Sequence, residues 1–113
     1  MVKLTDFHVL PQPQVRAAVA ALNGRNAPAF FALFAPGATL TDDGHPQVLE
    51  TWANREFFGK NETYLLTIDK VENDGLTFFG QLHSALYGNF KTFMRFTVKD
   101  HLITRMDVGQ ADY

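Results

Sequence analysis

The hydrophobic period of this chain changes once, near Gly59, and that switch limits the folds open to it. Ahead of it, Val15, Ala18, Val19 and Leu22 recur at i, i+3, i+4 and i+7. They form one apolar stripe on a helix that begins at Pro13. Asn23-Gly24 stops that helix, since glycine readily takes the left-handed cap conformation. Asn26 is placed to cap a second, short helix whose Phe30, Phe31 and Phe34 share a face, and Pro36-Gly37 ends it. A short strand at 38–42 then runs into the turn Asp42-Asp43-Gly44. Pro46 suits the first turn of a third helix, striped by Leu49, Trp52, Ala53 and Phe57 and closed by Gly59.

Behind the switch the period is two. Strands are expected at 62–72, 76–86, 89–98 and 101–109. Asn73-Asp74-Gly75 is a hairpin signal, because Asp-Gly tolerates positive φ. Tyr87-Gly88-Asn89 and Lys99-Asp100 supply the other turns, and residues 1–11 precede the first helix as a loose arm. Helices first and an antiparallel meander second give an α+β fold, in which a curved sheet buries one face under the helices. The 113 residues suit a single domain, 1–113, with one real core.

Composition excludes several function classes. The net charge is −2, and no basic run interleaves with aromatics, so no nucleic-acid partner is expected. Cysteine is absent, which removes disulfides and thiolate metal sites. The four His have no His-x-His or His-x-x-x-His spacing, and His8, His45 and His101 read as exposed or turn residues; no metal and no cofactor is expected. No phosphate-binding loop or nucleophile motif occurs. The N-terminal M-V-K-L-T-D-F-H lacks the apolar core of a signal peptide, and no apolar run approaches a membrane span. The expectation is therefore a cytoplasmic protein without a membrane partner, in which the sequon Asn61-Glu62-Thr63 is accidental. Eleven Phe is a high count for this length, and they must fill a core, line a pocket or cover an interface.

The order helix–helix–short strand–helix–meander resembles the nuclear transport factor 2-like superfamily, also called cystatin-like. It includes ketosteroid isomerases and SnoaL-like polyketide cyclases. The resemblance spans about 13–109 and is carried by A-A-V-A-A-L-N-G-R-N at 17–26, F-A-L-F-A-P-G-A-T-L-T-D-D-G at 31–44, L-E-T-W at 49–52 and F-M-R-F-T-V-K-D-H-L-I-T-R-M at 93–106. It implies a cone-shaped sheet packed on three N-terminal helices. It also implies that Asp42, at the end of the short strand, stands where the isomerases keep a carboxylate base. The tyrosine donor of the isomerases falls on Ala18 and their protonated aspartate falls on Thr92. Donors aimed at a developing oxyanion supply about 3 kcal/mol each. Alanine supplies none, so steroid isomerisation is not expected. The SnoaL-like cyclases keep an acid/base carboxylate late in the chain, which makes Asp107 a second candidate. The alternative for Asp107 is an Arg105/Asp107 pair on a solvated sheet edge.

Alternation assigns the cavity faces of the later strands. On 88–98, Phe90, Thr92, Met94 and Phe96 form the inward set. On 76–86, counting apolar residues turns Leu82 inward, whereas the isomerase pattern turns Phe79, Gln81 and His83 inward; the second assignment is preferred. The candidate catalytic residues are thus Asp42 as base, His83 and Asp107. The candidate ligand contacts are Ala18, Trp52, Phe79, Gln81, Phe90, Thr92 and Met94. Asp43 is better read as a turn or cap residue than as a base.

Two functions follow as expectations. One is binding of a small apolar molecule in the cone, with cofactor-free proton transfer such as isomerisation, cyclisation or dehydration. The other is a non-catalytic homodimer, paired through the outer sheet face and holding a vestigial or ligand-storing cavity.

Overall fold

The computed structural model describes residues 2–113. Its helices are α1 (Pro13–Asn23), α2 (Ala27–Phe31) and α3 (Leu49–Glu56). Its strands are β1 (Phe34–Asp42), β2 (His45–Gln47), β3 (Thr63–Glu72), β4 (Thr77–Ser84), β5 (Gly88–Lys99) and β6 (Leu102–Gln110). All six strands form one curved sheet in the order β2-β1-β6-β5-β4-β3, antiparallel except for the β1–β6 pair. This is the α+β architecture expected from the change of period.

The core lies between helices and sheet. Val15, Ala18, Val19 and Leu22 of α1 are buried, as are Trp52 and Ala53 of α3 and Phe57 just beyond it. From the sheet come Leu40, Leu65, Phe78, Leu82, Met94, Phe96, Ile103, Met106 and Val108. Asn23, at the end of α1, is also buried. Its amide donates to the carbonyls of Leu4 and Leu65 and accepts from Leu65 N at 2.8 Å, bonding helix, strand and N-terminal arm together. The arm is therefore not loose: Leu4 N donates to Leu65 O, and Leu10 is fully buried.

Three other local expectations are corrected. Helix α2 stops at Phe31, and Phe34 opens β1 opposite Ile103. Pro36 disfavours helical geometry at Ala35 and so limits the helix only there; α2 stops earlier because Phe34 is taken up in pairing with β6. Phe34 still meets Phe30, with ring centroids 4.8 Å apart. Pro46 lies in β2, not in a helix. Asp43 and Gly44 both have positive φ (50° and 81°), a two-residue turn of the type that joins β hairpins, and it pairs Asp42 with His45. Pro46 is tolerated there because β2 is an edge strand. After α1 the left-handed residue is Arg25 (φ 53°), while Gly24 keeps φ −81°. The Arg25 guanidinium donates to the carbonyls of Phe57 (2.9 Å) and Gly59 (2.6 Å), which fixes this conformation and the exit of α3 together.

Irregular pairing bends the sheet. Strand β3 shifts register against β4 between Leu65 and Thr67 and again between Ile68 and Lys70. Bulges increase local bend and twist. Gly80 fits the first of them: a Cβ there would lie 2.1 Å from Thr67 O. Strand β6 shifts against β5 between Thr97 and Val98, where Thr104 is the unpaired extra residue.

Candidate functional site

The inner face of the sheet alternates as a half-buried sheet must. On β5, Thr92, Met94 and Phe96 point inward. On β4 the inward set is Phe78, Gly80, Leu82 and Ser84. Phe79, Gln81 and His83 consequently lie on the outer face, which corrects the preferred assignment. Counting apolar residues gave the right facing, and Phe78 beside Phe79 had made the two faces hard to tell apart. Gln81 Nε2 donates to Asp69 on that outer face, and His83 Nδ1 lies 2.6 Å from Asn89 Oδ1. Phe79 packs edge-on against Tyr113 there, with ring centroids 5.7 Å apart.

Under the inner face, between α3 and the β4–β6 strands, is a cavity of about 410 Å³. Trp52, Phe57, Leu82, Phe90, Met94 and Val108 give it apolar walls. Asp42, Asp43, Glu56, Thr63, Ser84, Tyr87, Thr92, Gly109 and Gln110 complete its border. Of the expected ligand contacts, Trp52, Phe90, Thr92 and Met94 border this space. Ala18 does not; it is fully buried in the core on α1.

Asp42 ends β1 and is half-buried at the cavity wall. Trp52 Nε1 donates to its Oδ2 at 2.9 Å. Trp52 is only 3% exposed, so this indole N–H is held by the carboxylate and by little else. Asp42 Oδ1 accepts from none of the described residues. Asp43 also reaches the cavity, yet its role is local: Oδ1 accepts Gln110 N at 2.9 Å, and Asp43 N donates to Val108 O. It secures the hairpin to β6, in keeping with its reading as a turn residue.

Thr92 is turned away from an oxyanion role. Its hydroxyl donates to Gly109 O at 2.7 Å, within the sheet. Asp107 is not on the cavity and not on a sheet edge. It is buried on the central strand β6, on the face opposite Met106 and Val108. Thr41 Oγ1 donates to it at 2.6 Å, Arg105 Nε donates to both its oxygens at 3.1 Å, and Arg95 Nε is 3.5 Å away. Burial pushes the Asp107 carboxyl up. The hydrogen bonds from Arg105 and Thr41 and the charges of Arg105 and Arg95 outweigh burial, so it titrates below the ordinary carboxylate value. A carboxylate held by two arginines and a threonine on the outer face is built as a structural ion pair.

Sequence reasoning missed Glu56, Thr63, Ser84 and Tyr87. Glu56 had a signal, since it follows Trp52 by four residues and so shares its helix face. Thr63 and Ser84 had one as well: each is two residues from an inward leucine, Leu65 and Leu82. Among the described residues, no group of three or more His, Asp or Glu is placed to hold a metal ion. No helix among them is long and apolar enough to cross a membrane.

No protein-family model matches the chain, and no curated protein does. Solved structures do. A nuclear transport factor 2-like protein of unknown function from Cytophaga hutchinsonii superposes with a TM-score of 0.68 at 16% identity, over 87% of each chain. A candidate polyketide cyclase from Pseudomonas putida gives 0.62 at 20%, over 86% of this chain and 88% of that one. A candidate ketosteroid isomerase from Kribbella flavida gives 0.62 at 18%, over 90% and 78%. At such identities the likeness concerns the backbone. Together with the six-stranded curved sheet on its helices, it shows that this chain has the nuclear transport factor 2-like fold.

Proposed function

We propose that this protein binds a small, largely apolar molecule in the cone cavity and moves a proton on it with Asp42 as base, without a cofactor. One observation carries the reading: a carboxylate on the wall of an apolar cavity, steadied through Oδ2 by the Trp52 indole while Oδ1 is uncommitted. A base must be held in place and still have a lone pair for the substrate proton. The volume of about 410 Å³ falls within the roughly 300–1,000 Å³ range of small-molecule pockets. Neighbours described as a candidate polyketide cyclase and a candidate ketosteroid isomerase are in keeping with such chemistry.

The test uses 2-tetralone, a two-ring ketone with acidic protons beside its carbonyl. In deuterated buffer, Asp42 would take a C1 proton to give the enolate and return a deuteron. Proton NMR should show exchange accelerated by the protein and returned to the buffer rate by Asp42→Asn. Equal exchange with the variant removes Asp42 from the role.

A second reading, a non-catalytic homodimer with a storage cavity, is favoured by the missing oxyanion donors. Ala18 has none to give, and the Thr92 hydroxyl is spent on Gly109 O. Shifts of the Trp52 indole signal with 2-tetralone, without any exchange, would select it. Sedimentation would test the dimer.

A further inference from the structure

The cavity has a second polar wall that no step above uses. Thr63 opens β3 and pairs in register with Ser84, the last residue of β4. Both are buried, with 7% and 5% of their surface exposed, and both border the cavity. The Thr63 hydroxyl bonds to none of the described residues. No enclosed side-chain polar atom among those residues lacks a hydrogen bond. The Thr63 oxygen is therefore open, and the space that Thr63 borders is the cavity. Ser84 Oγ accepts from Leu86 N and Tyr87 N, both at 3.2 Å. With its lone pairs taken, its hydroxyl hydrogen is left to donate. In the sheet Thr63 is four strand positions from Asp42 and Ser84 three, since the order runs β1-β6-β5-β4-β3. They meet it only across the cavity.

We infer that Thr63 and Ser84 form an oxygen-binding pole opposite Asp42, so that the ligand is an apolar ring system bearing oxygen at both ends. This rests on the cavity being a ligand site, as proposed above. The Thr63 hydroxyl, open and without a partner among the described residues, is available to bond a ligand or a water. A ligand carbonyl or hydroxyl at that end would accept from Ser84 and exchange a hydrogen bond with Thr63. The apolar walls between the poles suit the rings. Valine at position 63 would have filled the same strand geometry without any donor.

Three probes separate this inference from its premise: 2-methylnaphthalene, 2-naphthol and 2,6-dihydroxynaphthalene. The chain has one tryptophan, so its single indole N–H resonance reports binding beside Asp42. With the native protein, the second hydroxyl should tighten binding roughly threefold to tenfold over 2-naphthol, the range of one net hydrogen bond. Thr63→Val, close to isosteric, should remove that increment and leave the binding of 2-methylnaphthalene, which has no oxygen, in place, while Thr63→Ser should keep the increment. An increment that survives in Thr63→Val overturns the inference, as does an increment that is absent from the native protein while 2-naphthol binds. If no probe shifts the indole resonance, the ligand-site reading falls and takes the inference with it. Ser84→Ala gives an independent check should Thr63→Val fold poorly, and it too should lose the increment.

Discussion

The Asp42–Trp52 pair makes a prediction in which stability and function separate. Trp52 is almost wholly buried, and its indole N–H has Asp42 Oδ2 as partner at 2.9 Å. Asp42→Ala removes the acceptor and leaves that N–H enclosed. An abandoned buried donor costs about 1–3 kcal/mol. Asp42→Asn keeps an oxygen in the same place and loses only the charge, which should cost under about 1 kcal/mol because Asp42 is half-exposed to solvent. For 113 residues the unfolding entropy near the midpoint is about 0.24 kcal/mol/K. The alanine variant should then melt roughly 4–13 °C below the native protein and the asparagine variant within about 4 °C of it. Calorimetry gives the order. NMR adds a direct view: the indole resonance should stay near its native position in Asp42→Asn and move in Asp42→Ala. Equal losses in the two variants would show that the indole does not depend on Asp42, and the steadied-base argument would fail with it.

Three further outcomes are expected. Gly80→Ala sets a Cβ against Thr67 O at 2.1 Å, a backbone atom that cannot rotate aside; it should cost about 2–3 kcal/mol, read as a lower urea midpoint at unchanged slope. Asp107 titrates below its unfolded value, so its stabilising contribution is complete above about pH 4 and is lost as pH falls through the lower folded value. Asp107→Asn should therefore flatten the stability loss between neutral pH and pH 3, and added salt should shrink the difference because Arg95 and Arg105 are half exposed. Tyr113 is pushed up to about 12 by desolvation and by its bond to Asp69 at 2.5 Å; any stability it lends is present below pH 10 and lost as pH rises through 12. Ultraviolet titration of Asp69→Asn should show that phenol ionising at lower pH.

The fold was legible because two periods specify two kinds of packing. The stripes Val15–Leu22 and Leu49–Phe57 bury as helices, and alternation alone turns Thr92, Met94 and Phe96 of β5 inward, as the structure has them. The site was less legible for three physical reasons. Phe78 and Phe79 make both faces of β4 apolar, so parity alone had no sign there, and His83 and Gln81 were turned the wrong way. The unpaired Thr104 breaks the alternation of β6, and nothing in Ile103-Thr104-Arg105 announces a bulge. Pro46 is as compatible with an edge strand as with a helix start, and only the Asp43-Gly44 turn decides between them. Asp42 is singled out in the sequence by its place at the end of a strand leading into that turn and by the resemblance, and the structure puts it on the cavity wall. Thr63 was overlooked because a threonine opening a strand looks ordinary in a sequence, and its unfilled hydroxyl is visible only in three dimensions.

Curvature connects these observations. On a flat sheet, four strand spacings would put Asp42 and Thr63 roughly 19 Å apart with no enclosed space between them. They share one cavity because the sheet curls, and the irregular pairings of β3 are part of that curl. Gly80 is the residue that lets the first irregularity close against β4. Gly80 does not border the cavity, yet a substitution there should alter the span between the two poles. In Gly80→Ala protein that remains folded, 2,6-dihydroxynaphthalene should lose more affinity than 2-naphthol, since only the longer-reaching ligand needs both poles at their native separation. Equal losses would mean that curvature sets the stability of the sheet and not the geometry of the site.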